Sequence, residues 1–270
     1  MPELLPLRPS GLYRSAFGCP GSRRLEVQAP PGPSSRYAEE GTAAHRCGEL
    51  ILSGEADYWS LLGEMVEGVR VTPSMIGPVS IYVDHCRRVT GDGEAQIEAT
   101  TQLPFLGVGV SGTCDHEARP SLALLAITDY KHGSGLYVHH IGNSQLYAYA
   151  CGALGRSRAE RKPDPKAVDI HLVQPRFEGA AAIRSERVTV DALDIWRYKT
   201  LPAAIAETEN PEAPLIAGEW CRYCRVRSAC LTFMQADSPL KGGRFARKKM
   251  QLQGAEDTEI SWLQPPKEET

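Results

Sequence analysis

The sequence contains no apolar run long enough to span a bilayer, and its first residues, MPELLPLRPSGLYRS, hold no apolar core of signal-peptide length. These absences argue against a helical membrane protein and lead us to expect a cytosolic one. An excess of positive charge is also missing. The net charge is -3 over 270 residues, so nucleic acid cannot be gripped by bulk charge and would need a local basic patch. There is no internal repeat and no long low-complexity segment, which excludes a solenoid. What remains is 42% hydrophobic and 23% charged, enough for one sizeable core with room for a small accessory lobe. Cysteine, by contrast, is plentiful. Eight cysteines in a reducing compartment point to metal ligation before disulfides.

Periodicity and punctuation divide the chain. A short helix is expected over Gly11–Phe17, ending at Gly18-Cys19-Pro20, and QAPPGPSS (28–35) reads as a loop. Helices are expected over Arg36–Ser53, capped by Ser34 or Ser35, and over Pro73–Val89. The period then changes. Ala95–Leu103, Gly107–Ala118 and Leu122–Tyr130 read as three successive strands, and Ala167–Val173 and Ile183–Val190 as two more. Between these sets lies a helix, Gly142–Leu154, with Asn143 as its cap. Asp191 is expected to cap a helix running to Glu207. A cysteine-rich knuckle spans Glu219–Cys230. The segment 236–270 is polar, with a basic run at Lys241–Lys249, and reads as a disordered tail, leaving 1–235 as the folded domain.

The most informative run is GTCDH (112–116) followed by ITDYKHG (127–133). Asp129 and Lys131 are two apart on an extended chain and share a face. If the two strands pair as a hairpin, Asp115 approaches Asp129. Two close carboxylates repel unless a cation sits between them, and Mg²⁺ or Mn²⁺ suits hard oxygen ligands. The Tyr130 carbonyl can add a further oxygen, and Lys131 can offset charge on a phosphate. Solvated strand-end residues would give the same pattern. Two further features weigh against that blander reading. His45 follows the small-residue surface of Gly41, Ala43 and Ala44, which lets its helix approach a sheet closely. Gln145 and Tyr149 are four apart on one helix face, where they could reach a phosphate and stack on a base or sugar.

WCRYCRVRSAC places Cys221, Cys224 and Cys230 at the spacing of metal ligands. Cys47, Cys86, Cys114 and Cys151 fall inside expected helices and strands, where small buried cysteines are common. Cys19 lies in an irregular Gly-Cys-Pro turn and is the candidate fourth ligand. It would clip together chain segments roughly 200 residues apart. Spacing alone fits Zn²⁺ on the four thiolates, or a three-cysteine site completed by another ligand. Arg23 and Arg24 follow Cys19, and Arg222, Arg225 and Arg227 lie in the knuckle. If the cysteines join these segments, five arginines converge on one DNA-binding surface. The tail run KGGRFARKKM adds Lys241, Arg244, Arg247, Lys248 and Lys249.

The order of these motifs resembles the RecB-like PD-(D/E)XK nucleases that carry an iron–sulfur cluster, the branch of the AddB nuclease domain and the CRISPR-adaptation exonucleases. It is most similar to a phage and prophage family of unassigned function, whose members share GCPGS, YAEEGTAAH, SGTCD, DYKHGSG, NSQLYAYACGAL, VQPRF and GEWCRYC. The resemblance covers about Pro9 to Phe233. It implies an α/β restriction-endonuclease-like core, a mixed sheet flanked by helices, with a C-terminal four-cysteine iron–sulfur knuckle packed on the N-terminal turn. It implies that His45, Asp115, Asp129 and the Tyr130 carbonyl bind Mg²⁺ or Mn²⁺, that Lys131 is the catalytic lysine, and that Gln145 and Tyr149 contact DNA. It further implies that Cys19, Cys221, Cys224 and Cys230 hold a [4Fe–4S] cluster. The expected activity is that of a DNA exonuclease, single-stranded or end-directed, encoded by phage or prophage. Such an enzyme would act in the host cytoplasm with recombination or replication proteins as partners. Two other classes share these features: a non-catalytic DNA-binding partner that keeps the fold, and a zinc-knuckle interaction module. Cys114, not proline, precedes Asp115, a departure from the family's name.

Overall fold

The computed structural model describes residues 4, 6–29, 32, 34–103 and 109–236. The expected tail, including the basic run Lys241, Arg244, Arg247, Lys248 and Lys249, lies outside them apart from Ala236. Described from the N-terminus, α1 (Pro9–Leu12) opens with proline at its first position, where the missing N–H costs nothing. It widens into a π-type turn over Tyr13–Gly18, closed by the Cys19 amide donating to the Arg14 carbonyl at 2.7 Å. The expected helix over Gly11–Phe17 is thus real but changes its hydrogen-bond pattern on the way to Cys19. A short α2 (Ser22–Glu26) follows. Helix α3 (Arg36–Leu52) starts where expected, and the Ser35 side chain accepts from the Ala38 amide.

Next come α4 (Tyr58–Leu61) and a small hairpin of β1 (Met65–Val66) and β2 (Val69–Arg70). Periodicity did not signal either, because each is shorter than the window in which a period can be read. Helix α5 (Pro73–Thr90) leads into the main strands: β3 (Glu94–Leu103), β4 (Val110–Ser121), β5 (Leu124–Tyr130), β6 (Ala167–Val173) and β7 (Ile183–Thr189). Helix α6 (Ser144–Ala159), capped by Asn143 as expected, carries the chain from β5 to β6. The sheet order is β3-β4-β5-β6-β7, with β5 and β6 parallel and the other neighbours antiparallel. A parallel pair requires a crossover, and α6 supplies it.

Period two on β5 sorts the layers. Leu125 and Ile127 join Leu146, Ala150 and Leu154 of α6 in one apolar core. Tyr130 joins Ala43 and Cys47 of α3 and Val79, Tyr82 and Val83 of α5 in a second. The sheet is therefore covered on both faces, and the outer end of β5 lies between two helical layers. Gly152 lets α6 sit tightly, since a Cβ there would lie 2.6 Å from Thr101 Cγ2 of β3. The chain then forms α7 (Val190–Ile195), a π segment over Trp196–Thr200, and α8 (Leu201–Glu209). Two expectations are corrected here. Thr189, not Asp191, is the N-cap, its hydroxyl accepting from the Ala192 amide at 3.3 Å. The helix also does not run unbroken to Glu207. Pro202 has no N–H for a normal helical bond, and the turn before it widens. The knuckle consists of two 3-10 turns, Glu219–Tyr223 and Arg227–Ala229, followed by α9 (Leu231–Gln235). Among the described residues no helix is long and apolar enough to cross a membrane.

Candidate functional site

The hairpin of β4 and β5 brings the two aspartates together. Its ladder runs outward as far as His116 opposite Thr128, and the next step out holds Asp115 and Asp129. There the side chain replaces the backbone bond, with Asp115 Oδ2 accepting from the Tyr130 amide at 2.7 Å. Asp129 is 1% exposed and Asp115 9%. Lys131, two residues beyond Asp129, returns over the same face. Its Nζ lies 2.9 Å from Asp129 Oδ2 and donates to Gln145 Oε1 at 3.2 Å. Gln145 Nε2 donates to Asp129 Oδ1 at 3.0 Å and to the Tyr149 hydroxyl at 3.1 Å. Asp129, Lys131 and Gln145 thus form one polar cluster between β5 and α6. Tyr149 itself is 5% exposed, in the α6 core. It cannot stack on a base as expected, and instead holds Gln145 in place.

His45 enters from α3. Its Nδ1 lies 3.3 Å from Asp115 Oδ1, and its ring is 5.3 Å from that of Tyr130. Glu98 of β3 completes the group. Ligand atoms of His45, Glu98 and Asp115 all lie within 4.8 Å of one another, the only such trio of potential metal ligands among the described residues. Sequence reasoning missed Glu98. It lies mid-strand, and only the register of β3 against β4, with Ile97 opposite His116 and Ala99 opposite Cys114, sets it across from Asp115. The ladder breaks at that step, where Glu98 takes a left-handed backbone at φ 50°. A non-glycine residue in that region carries strain, which is common at functional sites.

The electrostatics follow from burial and neighbours. Burial opposes charge on Asp115, yet His45, Lys131 and the Tyr130 amide hold its carboxyl below the ordinary range. Burial raises Asp129 against the pull of Lys131, and the Asp115 charge adds to the rise. Glu98 is pushed up to about 7 by burial and then by Asp115. Burial would lower Lys131 and His45, but the carboxylates beside them hold both above their usual values. Asp129 Oδ2 is buried and ion-paired with the Lys131 ammonium at 2.9 Å. Buried carboxylates beside an imidazole are a donor set that fits a divalent cation. A consequence can be measured without any metal. Folding raises the Glu98 pKa from the ordinary 4.5 to about 7, so ionised Glu98 destabilises the native state. This cost is absent below about pH 4.5 and complete above about pH 7. Metal-free Glu98→Gln should therefore melt higher than the parent protein at pH 8, with the gap closing by pH 5. A gap of equal size at both pH values would show that Glu98 is not perturbed.

The second cluster joins the chain ends of the folded unit. Cys19, Cys221, Cys224 and Cys230 line one pocket, together with Leu25, Ile216 and Phe233. The Ile216 amide donates to Cys19 Sγ at 3.2 Å, and the Gly218 amide to Cys221 Sγ at 3.4 Å. Trp220 wedges the two segments together. A Cβ on Gly18 or on Gly218 would lie 2.5 Å from its ring, so both positions need glycine. Burial, opposed for each by an amide bond, pushes the Cys19 and Cys224 thiols up. Cys47, Cys86, Cys114 and Cys151 are fully buried in the two cores, as expected of packing cysteines.

The expected five-arginine surface is smaller than the sequence suggested. Arg23 is 3% exposed and donates to Thr208 Oγ1 at 3.0 Å, so it is a packing group and not a DNA contact. Arg24 is half-buried and donates to the Asn210 and Ala213 carbonyls at 2.6 and 3.1 Å, tying the N-terminal turn to the end of α8. Arg225 and Arg227 are exposed, and Arg222 is half-buried beside them.

The fold and site thus define a mixed α/β protein: a five-stranded mixed sheet flanked by helices, with a buried carboxylate–histidine–lysine centre at one end. The chain belongs to the DUF2800 family, described as a protein of unknown function, whose profile matches residues 7–263. Among solved structures it is similar to the "putative exonuclease" of Eubacterium rectale, with 14% identity, a TM-score of 0.41, and coverage of 81% of this chain and 86% of that one. It is also similar to SSO0001, with 13% identity, a TM-score of 0.35, and coverage of 77% and 91%.

Proposed function

We propose that this chain is a metal-dependent DNA nuclease, working as an exonuclease, with Mg²⁺ or Mn²⁺ held by His45, Asp115, Asp129 and the Tyr130 carbonyl, and with Glu98 as a further ligand. The observation that carries this reading is the cluster at the outer ends of β4 and β5. There two buried aspartates meet an imidazole, a lysine and a glutamine. When bound, the cation supplies Lewis acidity toward a phosphodiester and toward an attacking water. The chain's own groups do the rest. Lys131 Nζ, positioned by Asp129 and Gln145, offsets charge that builds on the phosphate. Gln145, held by the Tyr149 hydroxyl, spends both amide hydrogens inside the cluster and orients Asp129 and Lys131. Arg222, Arg225 and Arg227 on the knuckle are the proposed contacts to the DNA backbone, and phage recombination or replication proteins in the host cytoplasm are the proposed partners. End-labelled single- and double-stranded DNA incubated with Mg²⁺ or Mn²⁺ should be shortened from an end. An absence of cleavage with either ion would leave the non-catalytic DNA-binding alternative.

For the cysteines the reading is a [4Fe–4S] cluster rather than zinc. What supports it is the motif order, which resembles the iron–sulfur nucleases, and the four thiols lining one pocket, as one thiolate at each iron of a cluster requires. Amide N–H groups aimed at Cys19 and Cys221 stabilise thiolate charge in either case.

A further inference from the structure

Three segments that the catalytic cluster does not use converge beside it. His132 follows Lys131 directly. Arg176 lies in the turn after β6, and Glu40 is on α3, one helical turn and a residue before His45. Arg176 Nη1 donates to Glu40 Oε1 at 2.8 Å and contacts His132 Nε2 at 2.6 Å. His132 Nε2 also lies 3.2 Å from Glu40 Oε1, but the shorter contact is to an arginine, which can only donate, so Nε2 is assigned as its acceptor and the His132 proton to Nδ1. That proton reaches the Tyr130 hydroxyl at 2.7 Å. His132 is 4% exposed, so its tautomer is fixed by buried partners. The chain of contacts runs from Arg176 through His132 to Tyr130, whose amide binds Asp115 and whose ring lies beside His45.

The arrangement leaves a specific part of the guanidinium unused. Both hydrogens of Nη1 are spent on Glu40 and His132. Among the described residues no hydrogen bond uses Nε or Nη2 of Arg176, and the side chain is 30% exposed. The Nε–Nη2 edge is the planar fork that matches two oxygens of a phosphate. Glu40 and His132 fix the rotamer beforehand, so little side-chain entropy remains to be lost on binding.

We propose that Arg176 is a phosphate subsite, its Nε–Nη2 edge gripping a non-scissile phosphodiester of the DNA backbone next to the metal centre. This rests on the nuclease reading for the identity of the ligand. Glu40 and His132 are positioning residues that hold the fork.

The test is binding of fluorescein-labelled single-stranded and blunt duplex oligonucleotides in Ca²⁺, across a range of salt, with melting curves for every variant. Arg176→Ala should weaken binding roughly 10-fold and lower the salt slope by about one. Arg176→Lys should keep the slope and recover part of the affinity. Glu40→Gln removes an anion beside the subsite but leaves Nη1 an acceptor, so its binding should equal or exceed that of the parent protein. If Arg176 were only a structural partner of Glu40, Arg176→Ala and Glu40→Gln would lower stability alike and leave affinity and slope unchanged, and the proposal fails. It also fails if Glu40→Gln weakens binding as much as Arg176→Ala. Cleavage by the parent protein in Mn²⁺ separates the two readings. Arg176-dependent binding without cleavage keeps the subsite and sinks the nuclease, whereas cleavage with an unchanged Kd in Arg176→Ala does the reverse. A parent protein that neither binds nor cleaves overturns both.

Discussion

Asp129→Asn should lower the single-turnover rate of DNA cleavage by at least about 10² while the protein stays folded. The substitution keeps the shape of the side chain and removes its charge. Asp129 Oδ1 accepts from both Gln145 and Lys131, and Oδ2 is ion-paired with Lys131 at 2.9 Å. An amide at that position turns one acceptor into a donor that points at Lys131 and at any bound cation. Asp115→Asn should be equally damaging, because it also loses the pairing with His45 and disturbs the Tyr130 amide. Lys131→Ala should lose a similar factor for a different reason. It leaves Asp115, Asp129 and Glu98 without the ammonium that offsets them, so metal binding should persist or tighten while turnover falls. Calorimetric titration with Mn²⁺ beside the kinetics tells these cases apart. Wild-type cleavage by Asp129→Asn would end the assignment of the site.

Loss of any one cluster cysteine should remove both iron and visible absorbance. Cys19→Ser, Cys221→Ser, Cys224→Ser and Cys230→Ser are each expected to yield colourless protein from anaerobic preparations, while Cys47→Ser should keep its iron. The four thiols line a single cavity, and backbone amides already point at two of them. The proposed cluster would close a loop of roughly 200 residues, and about 4–5 kcal/mol of stability should leave with it, by analogy with a covalent bridge of that span. The loss should not be complete unfolding, because Trp220 between Gly18 and Gly218 and the bonds of Arg24 to the end of α8 hold the same two segments without iron. Since burial raises the free thiols of Cys19 and Cys224, assembly should release protons and weaken as pH falls. Iron retained in Cys19→Ser would remove Cys19 from the ligand set. One bound zinc and no iron in the parent protein would move the knuckle to the zinc reading.

Much of the candidate site was legible because its signals are local. Asp129 and Lys131 share a face through the two-residue period of a strand, and Gln145 and Tyr149 through the four-residue spacing of a helix. Ser35 and Asn143 act as caps because a short polar side chain there meets free amides one turn on. Glu98 had no such signal. Nothing within a few residues of it differs from an ordinary strand glutamate, and its proximity to Asp115 exists only in the pairing of β3 with β4. Tyr149 shows the opposite case: its helix face was read correctly, but a face does not state whether it meets solvent or a sheet.

The sequence alone determined which residues could do chemistry and how they pair along the chain: the aspartates and lysine on strands, the histidine on a helix, and the cysteines in turns. These follow from bond geometry and hydrogen-bonding chemistry that act over a few residues. Tertiary structure decided which of them meet and which are spent on packing. It set Glu98 against Asp115 and His45, buried Arg23 against Thr208, and placed Glu40, His132 and Arg176 in contact across more than 130 residues, with a sequence separation of 136 between Glu40 and Arg176. Burial and long-range proximity arise from strand register and from closing long loops around two apolar cores, and those depend on the whole chain at once.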